Sequence, residues 1–206
     1  MGEKIIPDIV VGRLPLYLRT LQHMHQDGPT VTSSQDLADR LGISAAQIRK
    51  DLSQFGEFGK QGTGYNVEYL VEQLSSILKV DRVWDVAVIG AGDIGSALAR
   101  YAGFMNRGFQ VSMIFDNDPQ KIGSKVGPFV VQDTANMVVV LKKAKIKVAM
   151  IATPAAFAQE VVDELVKAGV KAILNYAPIN ITVPPEIHVQ HTDPVTHLQR
   201  MTYYLD

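Results

Sequence analysis

Apolar side chains in the first part of the chain recur at roughly helical spacing. Ile9, Leu14, Leu16, Leu18, Leu21 and Met24 predict a helical segment over residues 8 to 26, which Pro15 should kink or divide. Asp27-Gly28-Pro29 stops it. Ser33 and Ser34 offer caps for a short helix through Leu41, Gly42 breaks that helix, and Ser44 caps another running to about Gln54. The Gly-rich stretch from Gly59 to Tyr65 reads as a hairpin tip, and Glu68 to Leu78 as a further helix.

The pattern changes near Asp81-Arg82. Beyond it come β-branched runs that predict strands at Asp85 to Ile89, Phe109 to Phe115, Lys147 to Ile151, Ala172 to Leu174 and Ile187 to Val189. Helical stretches lie between several of them, at Ile94 to Met105, Thr134 to Lys143 and Ala155 to Ala168. Such alternation calls for right-handed βαβ crossovers and a largely parallel sheet covered on both faces. Thr192-Asp193-Pro194 supplies a cap and a first-turn proline, and Val195, Leu198, Met201 and Leu205 then form one apolar stripe. The expected architecture is α/β: a helical domain over residues 1–80, a doubly wound domain over 81–192, and a terminal helix over 193–206.

Two motifs give these regions chemistry. Val86-Ala87-Val88-Ile89 runs into Gly90-Ala91-Gly92-Asp93-Ile94-Gly95, a GxGxxG at a strand end and helix start. Gly90 suits the tight turn, Gly92 lets a pyrophosphate approach the backbone, and Gly95 lets helix and strand pack closely. Free N–H groups at the helix start then face phosphate charge. The next strand ends in Asp116, 21 residues after Gly95, where a carboxylate can bind a ribose 2′-OH and repel a 2′-phosphate. The motif therefore points to NAD(H) rather than NADP(H). A tight turn with no ligand, or a CoA or nucleotide-sugar site, fits the same glycines, and Asp93 would bring negative charge near a diphosphate.

Residues 34 to 53 place Ala38, Gly42 and Ile48 at the small, turn and core positions of a helix-turn-helix, with Leu37, Leu41, Ile43 and Leu52 completing its interior. The second helix exposes Ser44, Ala45, Gln47, Arg49, Lys50 and Ser53, types that contact bases and phosphates in a major groove. The Gly-rich hairpin with Lys60 then serves as a wing. Charge alone does not suggest nucleic acid. The chain of 206 residues has 20 Lys plus Arg against 21 Asp plus Glu, and residues 1 to 78 hold 7 against 9. That balance excludes a nonspecific DNA coat, not an operator reader. Cysteine is absent, which removes disulfides, thiolate metal sites and a cysteine nucleophile. No apolar run reaches the ~18 residues of a membrane span, and the expected setting is the cytoplasm.

Several segments together resemble the Rex family of bacterial redox-sensing transcriptional repressors. They are Arg13-Leu14-Pro15-Leu16-Tyr17-Leu18-Arg19, the run AQIRKDLSQFGEFGKQGTGYNV over 46–67, the glycine fingerprint, Tyr101-Ala102-Gly103-Phe104, and ILNYAP over 173–178. The resemblance spans nearly the whole chain. It implies a homodimer that binds double-stranded operator DNA, leaves it when NADH binds, and swaps its last helix across the dimer. It further implies that Arg49 and Lys50 lie on the recognition helix, Lys60 in the wing, and Gly90, Gly92, Gly95 and Asp116 around the adenosine and diphosphate. Tyr101 corresponds to a position near nicotinamide, and Arg19 and Asp193 to a pair that changes with domain arrangement. Pro194 departs from the family, whose members commonly carry an apolar residue such as Leu or Phe there.

The competing reading is a small NAD-dependent oxidoreductase, with His188, His191 or His197 as proton donor. Most of the second region is needed for the sheet itself, leaving no evident substrate domain. A regulator without catalytic residues or a metal is therefore expected. Lys142, Lys143, Lys145 and Lys147 read as a solvated helix end.

Overall fold

Residues 6–60 and 62–205 are described by a computed structural model, apart from the side chains of Asp27 and Lys60. The chain divides into two compact units, Met1–Arg82 and Val83–Asp206.

In the first unit, α1 (Asp8–Val11) is followed by α2 (Leu14–Asp27), so the break falls at Gly12 and Arg13 rather than at Pro15. Pro15 sits in the first turn of α2, where its missing N–H has no intrahelical partner to lose. Strand β1 (Val31–Thr32) leads to α3 (Ser34–Leu41), capped by the Ser33 hydroxyl, which accepts the Asp36 N–H. Gly42 turns the chain into α4 (Ala45–Leu52), where the Ser44 hydroxyl accepts the Gln47 N–H. Strands β2 (Gly59–Lys60) and β3 (Gly64–Asn66) form the antiparallel hairpin, and β1 pairs with the other side of β3. α5 (Val67–Ile77) closes the unit. Leu14, Tyr17, Leu21, Leu37, Ile48, Leu70 and Leu74 make its core, the arrangement of a winged helix-turn-helix.

The second unit is a seven-stranded sheet containing β4 (Trp84–Ile89), β5 (Phe109–Asp116), β6 (Lys125–Val126), β7 (Phe129–Asp133), β8 (Val148–Ile151), β9 (Ala172–Asn175) and β10 (His188–His191). Its order is β10-β9-β8-β4-β5-β7-β6, parallel throughout except for β6 at one edge. Period-two alternation along β4 sends Ala87 and Ile89 to one core, with Leu141, Val162 and Leu165 from α7 (Met137–Ala144) and α8 (Ala155–Ala168). Val86 and Val88 enter the opposite core with Ala99 of α6 (Asp93–Arg100). Both faces are thus covered, as a parallel sheet requires.

In the second unit three stretches differ from the sequence reading. The helix expected over 94–105 stops at Arg100, because Tyr101 takes an extended backbone and a 3-10 turn follows over Ala102–Arg107. Thr134–Asn136 is likewise a 3-10 turn ahead of α7. The β6–β7 hairpin falls in a stretch given no strand, since its two short strands lack a clear alternating run. α9 (Pro194–Thr202) is the last helix among the described residues, with Asp193 Oδ1 accepting the Val195 N–H as its cap.

Candidate functional site

Sequence order reverses between β4 and β8, and the carboxyl ends of the strands on either side of this switch point open into a cavity of about 880 Å³. Ligands of open α/β sheets bind at such places, and the volume lies in the range of small-molecule sites. Its walls include Gly90 after β4, Asp116 at the end of β5, Thr134 after β7 and Thr153 after β8. The glycines meet the stereochemistry that this loop demands. Gly90 has φ +102°, and a Cβ there would lie 2.5 Å from the Ala152 carbonyl oxygen. A Cβ on Gly95 would overlap the Gly90 carbonyl oxygen, whereas one on Gly92 would meet nothing within 4 Å. Two glycines therefore seat the helix against the strand, and the third leaves backbone open for a close approach. Thr153 Oγ1, on the cavity wall, is buried and has no hydrogen-bond partner. The residues present fit a dinucleotide.

Of the predicted cofactor residues, Gly90, Gly92, Asp93, Ile94 and Asp116 line this cavity, while Ala91, Gly95 and Tyr101 do not. The Ala91 N–H is engaged elsewhere, donating to Asp116 Oδ2 at 2.7 Å. Asp116 is 6% exposed, its Oδ1 accepts the Asp118 N–H at 2.8 Å, and Lys121 Nζ lies 3.3 Å from Oδ2. Burial pushes this carboxyl upward, but the two backbone donors and the ammonium outweigh it and hold the group below the usual carboxylate range. Asp116 thus braces the glycine loop from the end of the neighbouring strand.

Tyr101 is half exposed and packs edge-on against Phe104, ring centroids 5.0 Å apart. A Cβ on Gly103 would lie 2.5 Å from the tyrosine ring and hydroxyl, so Gly103 makes room for the ring to fold back over the backbone.

In the first unit, α4 presents Arg49 and Lys50 to solvent. Arg49 Nη1 donates to the Ser34 hydroxyl at 2.8 Å, and the Ser53 hydroxyl to the Lys50 carbonyl. Ser44 caps the helix. A cavity of about 730 Å³ separates α4 from the wing, lined by Arg49, Ser53, Phe58 and Tyr65 among others. Lys60 lies on strand β2, and its side chain is outside what is described.

Gln47 faces inward at its amide. Its Nε2 donates to Asp51 Oδ1 at 2.7 Å, and Asp51 is fully buried. Arg13 reaches the same carboxylate with two nitrogens, at 2.6 and 2.8 Å, and the Tyr17 hydroxyl donates to Oδ2 at 2.6 Å. Burial raises the Asp51 pKa, yet the donors from Arg13, Tyr17 and Gln47 outweigh it and hold the carboxyl below its ordinary value. The Tyr17 hydroxyl is held well above its own, first by burial and then by the adjacent carboxylate. This network ties the start of α2 to α4.

Comparison with known proteins decides the lineage. Redox-sensing transcriptional repressors Rex from Chloroflexus aggregans and Carboxydothermus hydrogenoformans are 50% and 42% identical to the chain. They match 97% and 96% of it, and 94% and 95% of their own lengths. The chain belongs to the Rex family. A family model described as "Putative DNA-binding protein N-terminus" matches residues 5–53, and one described as "CoA binding domain" matches 81–179. Solved structures agree. A Rex-family chain described as RSP in complex with beta-NAD+ and operator DNA superposes with a TM-score of 0.93 at 36% identity, covering 98% of this chain and 94% of that one. RSP in complex with beta-NADH gives 0.89 at 34% identity, covering 98% and 95%. Membership in Rex makes the chain a regulator, not an enzyme. Among the described residues no cluster of His, Asp or Glu is arranged to hold a metal ion, and no helix is long and apolar enough to cross a membrane.

Sequence reasoning gave no role to Asp51, Lys121 or Gly103. Asp51 carries a signal, since a carboxylate between Lys50 and Leu52 falls on the inward face set by Ile48 and Leu52. Lys121 and Gly103 become visible only when loops are placed in space.

Proposed function

We propose that this chain is a cytoplasmic transcriptional repressor that binds double-stranded operator DNA as a homodimer and leaves it when NADH binds, so that transcription follows the NADH/NAD+ ratio. One observation carries this reading. A winged helix-turn-helix with exposed Arg49 and Lys50 and a switch-point cavity under a glycine fingerprint occur on one chain. RSP, a similar Rex-family repressor, has been solved with NAD+ and operator DNA and with NADH.

On this reading Arg49, Lys50 and Ser53 contact bases and phosphates, Ser44 and Gln47 support the helix that carries them, and Lys60 touches the flanking backbone. Gly90, Gly92, Asp93 and Ile94 border the diphosphate, Gly95 and Ala91 shape the loop beneath it, and Asp116 meets the adenosine ribose. Bound NADH supplies no chemistry here; it acts as a ligand. Nicotinamide is cationic in NAD+ and neutral in NADH, so burying it against apolar side chains penalises the oxidised form. Tyr101, on its short turn, is the residue assigned to that end.

Dimerisation follows from α9. Val195, Leu198, Met201, Tyr203, Tyr204 and Leu205 are 55–84% exposed, and no residue of α9 is buried. A helix this short is marginal in water by itself, and its apolar face calls for a second copy of the chain, swapped across the dimer. Two recognition helices about 34–36 Å apart then enter successive major grooves. NADH releases DNA if it binds more tightly to an arrangement with another spacing. Arg19, exposed on α2, and Asp193, which caps α9, are assigned to that switch.

None of the histidines offered as proton donor for the oxidoreductase reading, His188, His191 and His197, lines the cavity. His191 Nδ1 pairs with the Asn175 amide at 3.2 Å, a structural contact at the sheet edge. The test is Arg49→Ala, measured against a duplex selected from a random library by the unsubstituted chain. Operator affinity should fall at least about tenfold, the worth of one good base contact, with NADH affinity unchanged. Undiminished operator binding would remove Arg49 from the interface.

A further inference from the structure

Asp116 stands where a ribose-binding carboxylate belongs, yet most of its acceptor capacity is filled from within the protein. Oδ2 takes the Ala91 N–H and the Lys121 ammonium, and Oδ1 takes the Asp118 N–H. An ionised carboxylate offers about four lone-pair sites, so about one remains. A ribose presents two neighbouring hydroxyls. Two of the three occupants are backbone donors fixed by the loop and cannot yield. The third, Lys121 Nζ, ends a flexible side chain that is 40% exposed, stands 3.9 Å from Asp118 Oδ2, and lies on the cavity wall. It is the one cation on that wall among the described residues, against Asp93, Asp116, Asp118, Asp133, Glu160 and Glu164.

We propose that Lys121 is a specificity-determining residue of the adenosine ribose subsite, donating to a ribose hydroxyl while Asp116 holds its charge and so withholds it from a 2′-phosphate. The proposal rests on the reading of this cavity as the NAD(H) site. A cation beside the ribose ordinarily accommodates the 2′-phosphate of NADP. Here its charge is already matched by Asp116 and Asp118, and a further phosphate would enter among carboxylates with no free counter-ion. Rejection of NADP(H) is therefore a property of the Asp116–Lys121 pair rather than of the acid alone. If Lys121 only braced Asp116, removing it from the Asp116→Asn variant would leave the balance between NADH and NADPH unchanged.

The experiment measures equilibrium binding of NADH and of NADPH to the full chain and to Lys121→Met, Lys121→Arg, Asp116→Asn and the Asp116→Asn/Lys121→Met double variant. Lys121→Met should weaken NADH about tenfold, the scale of one charge-assisted hydrogen bond, and Lys121→Arg should restore most of it. Asp116→Asn frees the ammonium, so NADPH should gain on NADH by about tenfold or more, and adding Lys121→Met should cancel that gain. An equal gain with and without Lys121, or NADH affinity untouched by Lys121→Met, overturns the proposal and leaves the cofactor reading standing. An unsubstituted chain that binds neither NADH nor NAD+ overturns both.

Discussion

Replacing Asp51 by asparagine removes the charge around which Arg13, Tyr17 and Gln47 converge. Breaking a buried ion pair by deleting one partner costs about 3–5 kcal/mol. The Arg13 side chain keeps 20% exposure and can turn toward water, and asparagine retains one acceptor, so the lower end applies, about 3 kcal/mol. Hydrogen exchange on the full chain reads this locally. Amide protection in α2 and α4 should fall about a hundredfold, since each 1.4 kcal/mol is about tenfold, while β4 and β8 in the other unit keep theirs. The difference between the native chain and the variant also depends on pH. The folded Asp51 carboxyl titrates below its unfolded value, so its contribution is fully present above the ordinary carboxylate range near pH 4 and is lost as pH falls through the depressed folded value. The gap should therefore close in acid. A protection loss under about fivefold at pH 7, or a gap that widens in acid, would refute the network as the tie between these helices.

Other outcomes follow from the same geometry. Gly95→Ala, whose Cβ would overlap the Gly90 carbonyl, should displace the loop and weaken NADH by up to about a hundredfold, an overpacking cost of about 1–3 kcal/mol; calorimetric affinity within threefold of native would contradict it. Gly103→Ala should push the Tyr101 ring off its seat and change the ratio of NADH to NAD+ affinity while leaving operator binding without nucleotide intact; an unaltered ratio would detach Tyr101 from redox discrimination. With Arg49, Lys50 and Lys60 as the cations on each recognition helix and wing, the slope of log affinity against log salt should be no steeper than about −5 for a dimer, at about −0.9 per phosphate neutralised. A much steeper slope would mean that unassigned lysines meet the DNA.

Much of the architecture was legible because it rests on local chemistry. Ser33, Ser44 and Asp193 cap the helices the sequence assigns them, and α8 occupies the expected span, because caps and apolar periodicity act over a few residues. The strand, glycine loop, helix and acid likewise appear in order. What stayed hidden depends on side chains distant in sequence. Nothing near Asp116 in the chain announces that Ala91 will bind it, 25 positions away, and nothing near Gln47 announces Arg13. Tyr101 ends a helix that periodicity carries onward: its backbone is extended and its ring lies over Gly103. The edge hairpin β6–β7 had too few residues to show a period.

Release of the selected operator duplex, titrated with NADH and with NAD+ at fixed salt, bears most directly on the central claim, since it engages both units and their coupling. NADH is expected to free the DNA at concentrations at least about tenfold below any effect of NAD+, a difference of about 1.4 kcal/mol in differential binding. Equal potency of the two forms, or DNA that stays bound with NADH saturating, would contradict it.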